Sequence, residues 1–190
     1  DPVKTLGDHL GMISMIEGWA FHMERLMLDR GYLEFYAKRM QELGPSLGFN
    51  IEDIEKYTKV LKFFALKLQL LRAGRMVIDP SIHSGNMTVD EAVKFFVEDC
   101  LQDEGFARNQ VSYYTEKQGY QACYYAGTLH LEALKSLCHD IFRDCPLKES
   151  EVDEWFYRMF LQECGFMPLD LITEYIVKKA LQEKQLMSSR

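Results

Sequence analysis

Two glutamates stand where a helical reading calls for apolar residues. At 100° per residue, Leu6, Leu10, Ile13, Phe21 and Leu28 fall within about 40° of Glu17, and Glu24 shares that face. An ionised carboxylate among aliphatic neighbours is costly unless it is paired, hydrogen-bonded or bound to a metal. Each alternative implies a different chemistry. A metal site would need further ligands, and the histidines His9, His22, His83, His130 and His139 are the natural donors. None of them begins HExxH or closes a Glu-x-x-His pair. Glu17 and His22 are on roughly opposite helix faces, so one straight helix cannot offer both to one ion. The residues alone therefore leave no complete metal site. Glu17 and Glu24 could also serve as an acid–base pair, or form structural ion pairs with Arg72 or Arg75. The chain has no GxSxG elbow, Walker loop or GxGxxG turn.

Arg75 draws attention for the opposite reason. The row Ile54, Tyr57, Leu61, Phe64, Leu68, Leu71 repeats at helical spacing, and Arg75 takes the next place on it. A core-facing row is expected there, with either an anionic partner for Arg75 or an arginine snorkelling out of the helix end.

The elements that would carry these residues are all helical. A first helix is expected over 5–31, apolar around most of its circumference, with Gly31 as its stop. Tyr32 to Leu43 read as a second, ending at Gly44-Pro45, with a loop from Ser46 to Asn50. The third should run to Asp79, because the residue before Pro80 avoids helical angles. Ser81 to Asn86 then form a polar loop carrying His83. Thr88 and Glu91 form a capping box for a helix to about Cys100 with Ala92, Phe95, Phe96 and Cys100 at helical spacing. A weaker helix over 105–117 has Ala107, Val111 and Tyr114 as its inner row. From Tyr120 to Phe142 a long helix should bury Cys123, Leu134, Leu137 and Ile141, leaving Gln121, Tyr125, Thr128, Glu132 and Ser136 on a polar face. Ser150 is expected to cap a helix to about Cys164, stopped by Gly165, and Pro168 to open a last helix ending near Met187. No strand alternation appears. The reading is an all-α, multi-helix single domain over 1–187 with a frayed tail, 188–190.

Composition narrows the function. The 190-residue chain has a net charge of −7, from 22 Lys+Arg against 29 Asp+Glu, which argues against nucleic acid as a partner. No apolar run is long enough for a membrane span. Asp1-Pro2-Val3-Lys4 is neither a signal peptide nor an initiator start, so either a trimmed chain or a piece of a longer protein is expected. Five cysteines without a CxxC pair read as reduced thiols, hence a cytoplasmic setting.

The stretch Glu17-Gly18-Trp19-Ala20-Phe21-His22-Met23-Glu24 resembles the EGWALYxE motif of a large bacterial family of unknown function whose members look like zinc metallopeptidases of the gluzincin type. More of the chain agrees, in order. Arg72 to His83 is similar to RxxRLVVDxGIH, Thr88 to Ala92 to WTREQA, Tyr120 to Tyr125 to PGQALSY, and Gly165 to Leu169 to GxxPL. The likeness spans nearly the whole chain and corresponds to the C-terminal portion of the larger family fold. It departs at Gly119-Tyr120, which replaces the PG pair, and at Gly127, one residue early.

The resemblance implies a zinc-dependent peptidase-like hydrolase acting on a peptide or small amide. Glu17 would be the third zinc ligand and Glu24 would lie near the ligands. His83 and Tyr125 would be catalytic, steadying an oxyanion, and Arg75 and Arg72 would hold substrate. The family's upstream HExxPGHH-like motif is absent from this sequence. This chain alone is therefore expected to bind no zinc and to be inactive, with a missing N-terminal segment or homo-oligomer completing it. The alternative is a non-catalytic helical binding module derived from the family.

Overall fold

In the structure, a computed structural model, the backbone is described for residues 2–29, 31–165 and 167–189, and side chains for 11–28, 31–165 and 167–189. The expected neighbours Leu6 and Leu10 of Glu17 fall outside the described side chains. Among the described residues there are eight α-helices and no strand: α1 Pro2–Asp29, α2 Tyr32–Leu43, α3 Ile54–His83, α4 Val89–Glu98, α5 Glu104–Glu116, α6 Cys123–Phe142, α7 Glu149–Arg158 and α8 Leu169–Ser188. The all-α class is as the periodicity indicates. No helix among the described residues is long and apolar enough to cross a membrane.

Local chemistry sets most boundaries. Asp53 caps α3 by accepting from Lys56 N at 2.9 Å. Thr88 caps α4 by accepting from Glu91 N at 3.3 Å, while the Glu91 carboxylate accepts from Thr88 N at 2.8 Å, the expected capping box. The Thr88 amide, and after it the Thr88 hydroxyl donating to the same carboxylate at 2.7 Å, hold the Glu91 carboxyl below the usual carboxylate range. Gly31 takes φ 69°, a left-handed angle suited to glycine, between α1 and α2.

Several boundaries differ from expectation, among them the start of α6, at Cys123 rather than Tyr120. α3 continues through Pro80 to His83. Proline removes one amide donor, but Ser84 N donates to Pro80 O at 2.9 Å, so the last turn still closes. Gly44–Leu47 forms a 3₁₀ turn where a loop begins in the sequence reading. Lys148 rather than Ser150 occupies the cap of α7, its N–H donating to Glu151 at 2.7 Å. After Arg158 the chain widens into a π-helical turn, Met159–Cys164.

The helices gather into two compact units, one of residues 1–20 with 123–190, the other of residues 21–122. In the first, α6, α7 and α8 pack around Leu131, Phe142, Trp155, Phe156, Ile172 and Ile176. Trp19 joins this core, stacked on Phe160 at 4.8 Å between ring centroids. In the second, α3, α4 and α5 close over Leu71, Ile78, Phe96, Val111 and Tyr114, with α2 laid along α3.

Within the first unit α1 and α6 cross at backbone distance. A Cβ on Gly18 would lie 2.5 Å from Gly127 Cα, and one on Gly127 would lie 1.9 Å from Ser14 O. Thr128 Oγ1 donates to Gly18 O at 2.8 Å, joining positions 110 apart in sequence. This crossing corrects the expected polar face of α6, because Thr128 is buried; elsewhere on α6 Leu137, expected in the core, is exposed, and Gln121, expected on the polar face, is buried ahead of the helix. Gly127 and Thr128 add little bulk, so the neighbouring helix comes in over them and buries that side. The core row expected on α3 is corrected too, because Phe64 and Leu68 are exposed and only its Leu71 end is buried.

The crossing makes a direct prediction. Gly18→Ala or Gly127→Ala forces two helix backbones apart and should cost about 2–4 kcal/mol. Denaturant melts of both variants measure this, and wild-type stability would show that the backbones do not touch.

Candidate functional site

Glu17, Gly18 and Trp19 occupy consecutive positions of α1 with separate tasks. Gly18 admits α6, Trp19 fills the core, and Glu17 is half-buried beside them. Tyr125, also half-buried, lies on α6 two residues before Gly127. Glu17 and Tyr125 thus belong to the two helices that meet at Gly18 and Gly127, one and two residues from the point of closest approach.

Glu24, Arg72, Arg75 and His83 belong to the second unit. Arg72 donates to Glu24 at 2.8 Å, and its guanidinium sits over the Phe21 ring at 5.0 Å from the centroid. Glu24 therefore has one of the two arginines expected for it. Arg72 is 14% exposed and Glu24 41%, so this is a half-shielded pair whose arginine also packs. Arg75 does something else: its Nε donates to Tyr114 Oη at 3.0 Å and a terminal nitrogen donates to Gln110 Oε1 at 3.0 Å. Tyr114 Oη in turn donates to Gln110 Oε1 at 2.9 Å. At Arg75, where an anionic partner was one expectation, these contacts are with neutral groups, and it is Arg72, one turn earlier, that pairs with Glu24.

His83 sits in the last turn of α3 with Nε2 2.9 Å from Tyr114 O. A carbonyl can only accept, so Nε2 carries the proton there. The same nitrogen is 3.5 Å from Asp79 Oδ1, one turn earlier. Asp79 is fully buried and accepts three backbone bonds, from Gly119 N at 3.0 Å, Gln121 N at 2.8 Å and Ala122 N at 3.2 Å. It fixes the turn that leads into α6. Asp79, expected at the end of α3 and within the stretch similar to RxxRLVVDxGIH, stands inside α3. Its place one turn before His83, next to a proline, was a weak sign of a buried anchor.

The cysteines are mostly buried. Burial pushes the Cys138 thiol up to about 12 and those of Cys100 and Cys164 up to about 11. Among the described residues no group of three or more His, Cys, Asp or Glu side chains could hold a metal ion.

These features define an all-α protein with two helical units and a half-buried glutamate at a glycine crossing. The chain belongs to the family described as "Bacterial protein of unknown function (DUF885)", whose model matches residues 3–174. No curated protein and no solved structure matches it.

Two outcomes follow. Asp79→Asn turns an acceptor into an NH₂ group facing a backbone N–H and should destabilise the protein by about 3 kcal/mol. An unchanged thermal midpoint would contradict the anchor role. In the folded protein at pH 8, a thiol-specific reagent should label half-buried Cys145 first. Cys100, Cys138 and Cys164 should label only on unfolding, which peptide mass mapping would show.

Proposed function

We propose that this chain is the C-terminal part of a zinc-dependent, peptidase-like hydrolase. In this reading Glu17 is the third metal ligand, and two histidines and a general-base glutamate come from an HExxH segment upstream in the natural polypeptide. The substrate class is a peptide or small amide. The observation that carries the reading is the α1–α6 crossing. It brings to one place the helix of the EGWA-like stretch and the helix of the QALSY-like stretch, two motifs far apart in sequence. Membership of the bacterial family is consistent with it.

The roles of the other residues follow the resemblance, adjusted to the partners that each has. Tyr125 is assigned to the oxyanion as a hydroxyl donor. His83 is assigned there too, a role that requires its Nε2 to leave Tyr114 O, because Nδ1 of a ring protonated at Nε2 can only accept. Arg72 is assigned to a substrate carboxylate, shared with the Glu24 carboxylate that it already pairs. Arg75 holds substrate at the cost of its bonds to Tyr114 and Gln110.

A second reading has its own support. Glu24, Arg72, Arg75 and Asp79 all have partners within the helical framework, as expected of a non-catalytic module whose charges serve packing.

Zinc analysis of the natural full-length polypeptide separates the two. The hydrolase reading expects one zinc per chain in the wild type and loss of zinc in Glu17→Gln with helical content kept. Stoichiometric zinc in that variant would remove Glu17 from the ligand set, and a wild type without zinc would favour the module. His83→Ala and Tyr125→Phe should keep the metal and lower turnover by about 10²-fold. Metal loss in either would mean that ligand and oxyanion roles are exchanged.

A further inference from the structure

Tyr114 is the point at which two of the residues assigned to substrate are held. It is fully buried in α5, its ring edge-on to Phe96 at 5.8 Å between centroids. His83 Nε2 donates to its carbonyl at 2.9 Å, and Arg75 Nε donates to its hydroxyl at 3.0 Å. The Asp79 carboxylate, 3.5 Å from the same His83 nitrogen, lies beyond ordinary hydrogen-bond length. A second Arg75 nitrogen donates to Gln110 Oε1 at 3.0 Å. Buried contacts of this kind are normally hard to break, because an oxygen left without a partner costs free energy. Here each acceptor keeps one. Lys117 N donates to Tyr114 O at 3.2 Å, and the Tyr114 hydroxyl donates to Gln110 Oε1 at 2.9 Å. His83 and Arg75 can therefore leave without orphaning either oxygen of Tyr114 or that of Gln110. Arg72 is held differently, by the Glu24 carboxylate, a charged partner that binds it more firmly.

We propose that, on the hydrolase reading that assigns His83 and Arg75 to substrate, Tyr114 and Gln110 form a latch that a substrate with a free carboxylate opens. In the closed state both residues rest on neutral acceptors of α5. An amide or hydroxyl of a ligand offers Arg75 no better bond than those it would give up. A carboxylate does, because charge-assisted bonds to a guanidinium are roughly twice as strong as neutral ones and form in parallel pairs. The latch thus turns a charge difference between substrates into selectivity. Arg75 and His83 are about two turns apart on α3, roughly 12 Å along its axis. An extended peptide covers that distance in about four residues. The substrate class is therefore a peptide or N-acyl amino acid cut close to its free C-terminus.

The probe is an uncleavable peptide, N-acetyl-trialanine with its last amide replaced by a ketomethylene group, as the free acid and as the carboxamide. Its binding to the natural full-length protein is measured by titration calorimetry. The acid should bind the wild type about tenfold tighter than the carboxamide. Gln110→Leu with Tyr114→Phe removes both side-chain acceptors and should bind the acid about tenfold tighter still. If circular dichroism shows that this pair does not fold, Gln110→Leu alone should tighten the acid about threefold. Arg75→Leu should abolish the preference for the acid. Weaker or unchanged acid binding in the latch variants would overturn the proposal, because Tyr114 and Gln110 would then be supports for Arg75. Equal binding of acid and carboxamide by the wild type, or binding of neither, would overturn it too. A wild type that prefers the acid but holds no zinc would refute the hydrolase reading and not the latch. Zinc with no preference for the acid would refute the latch alone.

Discussion

The first helical unit depends on one contact: two helices that touch through their backbones. Gly18 and Gly127 leave no room for a methyl group between α1 and α6, and the Thr128 hydroxyl donates across the gap to Gly18 O. Glycine in a helix interior lowers helix stability by roughly 1 kcal/mol relative to alanine. Both helices bear that cost because close approach gives van der Waals contact along the backbone and a buried hydrogen bond. Trp19, next to Gly18, then stacks on Phe160 and ties the crossing to the core of α6, α7 and α8. Glu17 inherits its position from neighbours on which packing has already acted.

The second unit solves a different problem with charge. The segment before α6 must leave helix while its amides are taken out of water, and an unpaired buried N–H is costly. Asp79 accepts three of those amides and itself avoids the cost of a bare buried carboxylate. Tyr114 links the same region, accepting Arg75 at its hydroxyl and His83 at its carbonyl while its ring packs edge-on against Phe96. The residues that look catalytic by type are thus also structural. Function at this place would reuse a network that the fold needs in any case.

Much of this was legible in the sequence, for identifiable reasons. α2 and the Thr88–Glu91 cap follow from local chemistry, and Ala107, Val111 and Tyr114 form the buried row that their spacing announces. The pairing of Glu24 with Arg72 was one of two options that charge alone offered. What failed did so where neighbours outweigh periodicity. Hydrophobic counting gives Gly127 and Thr128 no weight, so it placed Thr128 on a polar face that a helix crossing buries. The row from Ile54 to Leu71 has core spacing, yet α3 is longer than the elements packed against it, and Phe64 and Leu68 remain exposed. Asp79 was hidden by Pro80, because a helix that tolerates proline near its end resembles one that stops there.

The central claim is that Glu17 is one leg of a zinc site completed by histidines elsewhere in the natural polypeptide. Zinc K-edge X-ray absorption on that full-length protein tests it at the metal itself. The account predicts a first shell of two imidazole nitrogens with oxygen at about 2.0–2.2 Å and no sulfur. A sulfur shell near about 2.3 Å, or a shell unchanged when Glu17 is replaced by glutamine, would contradict it.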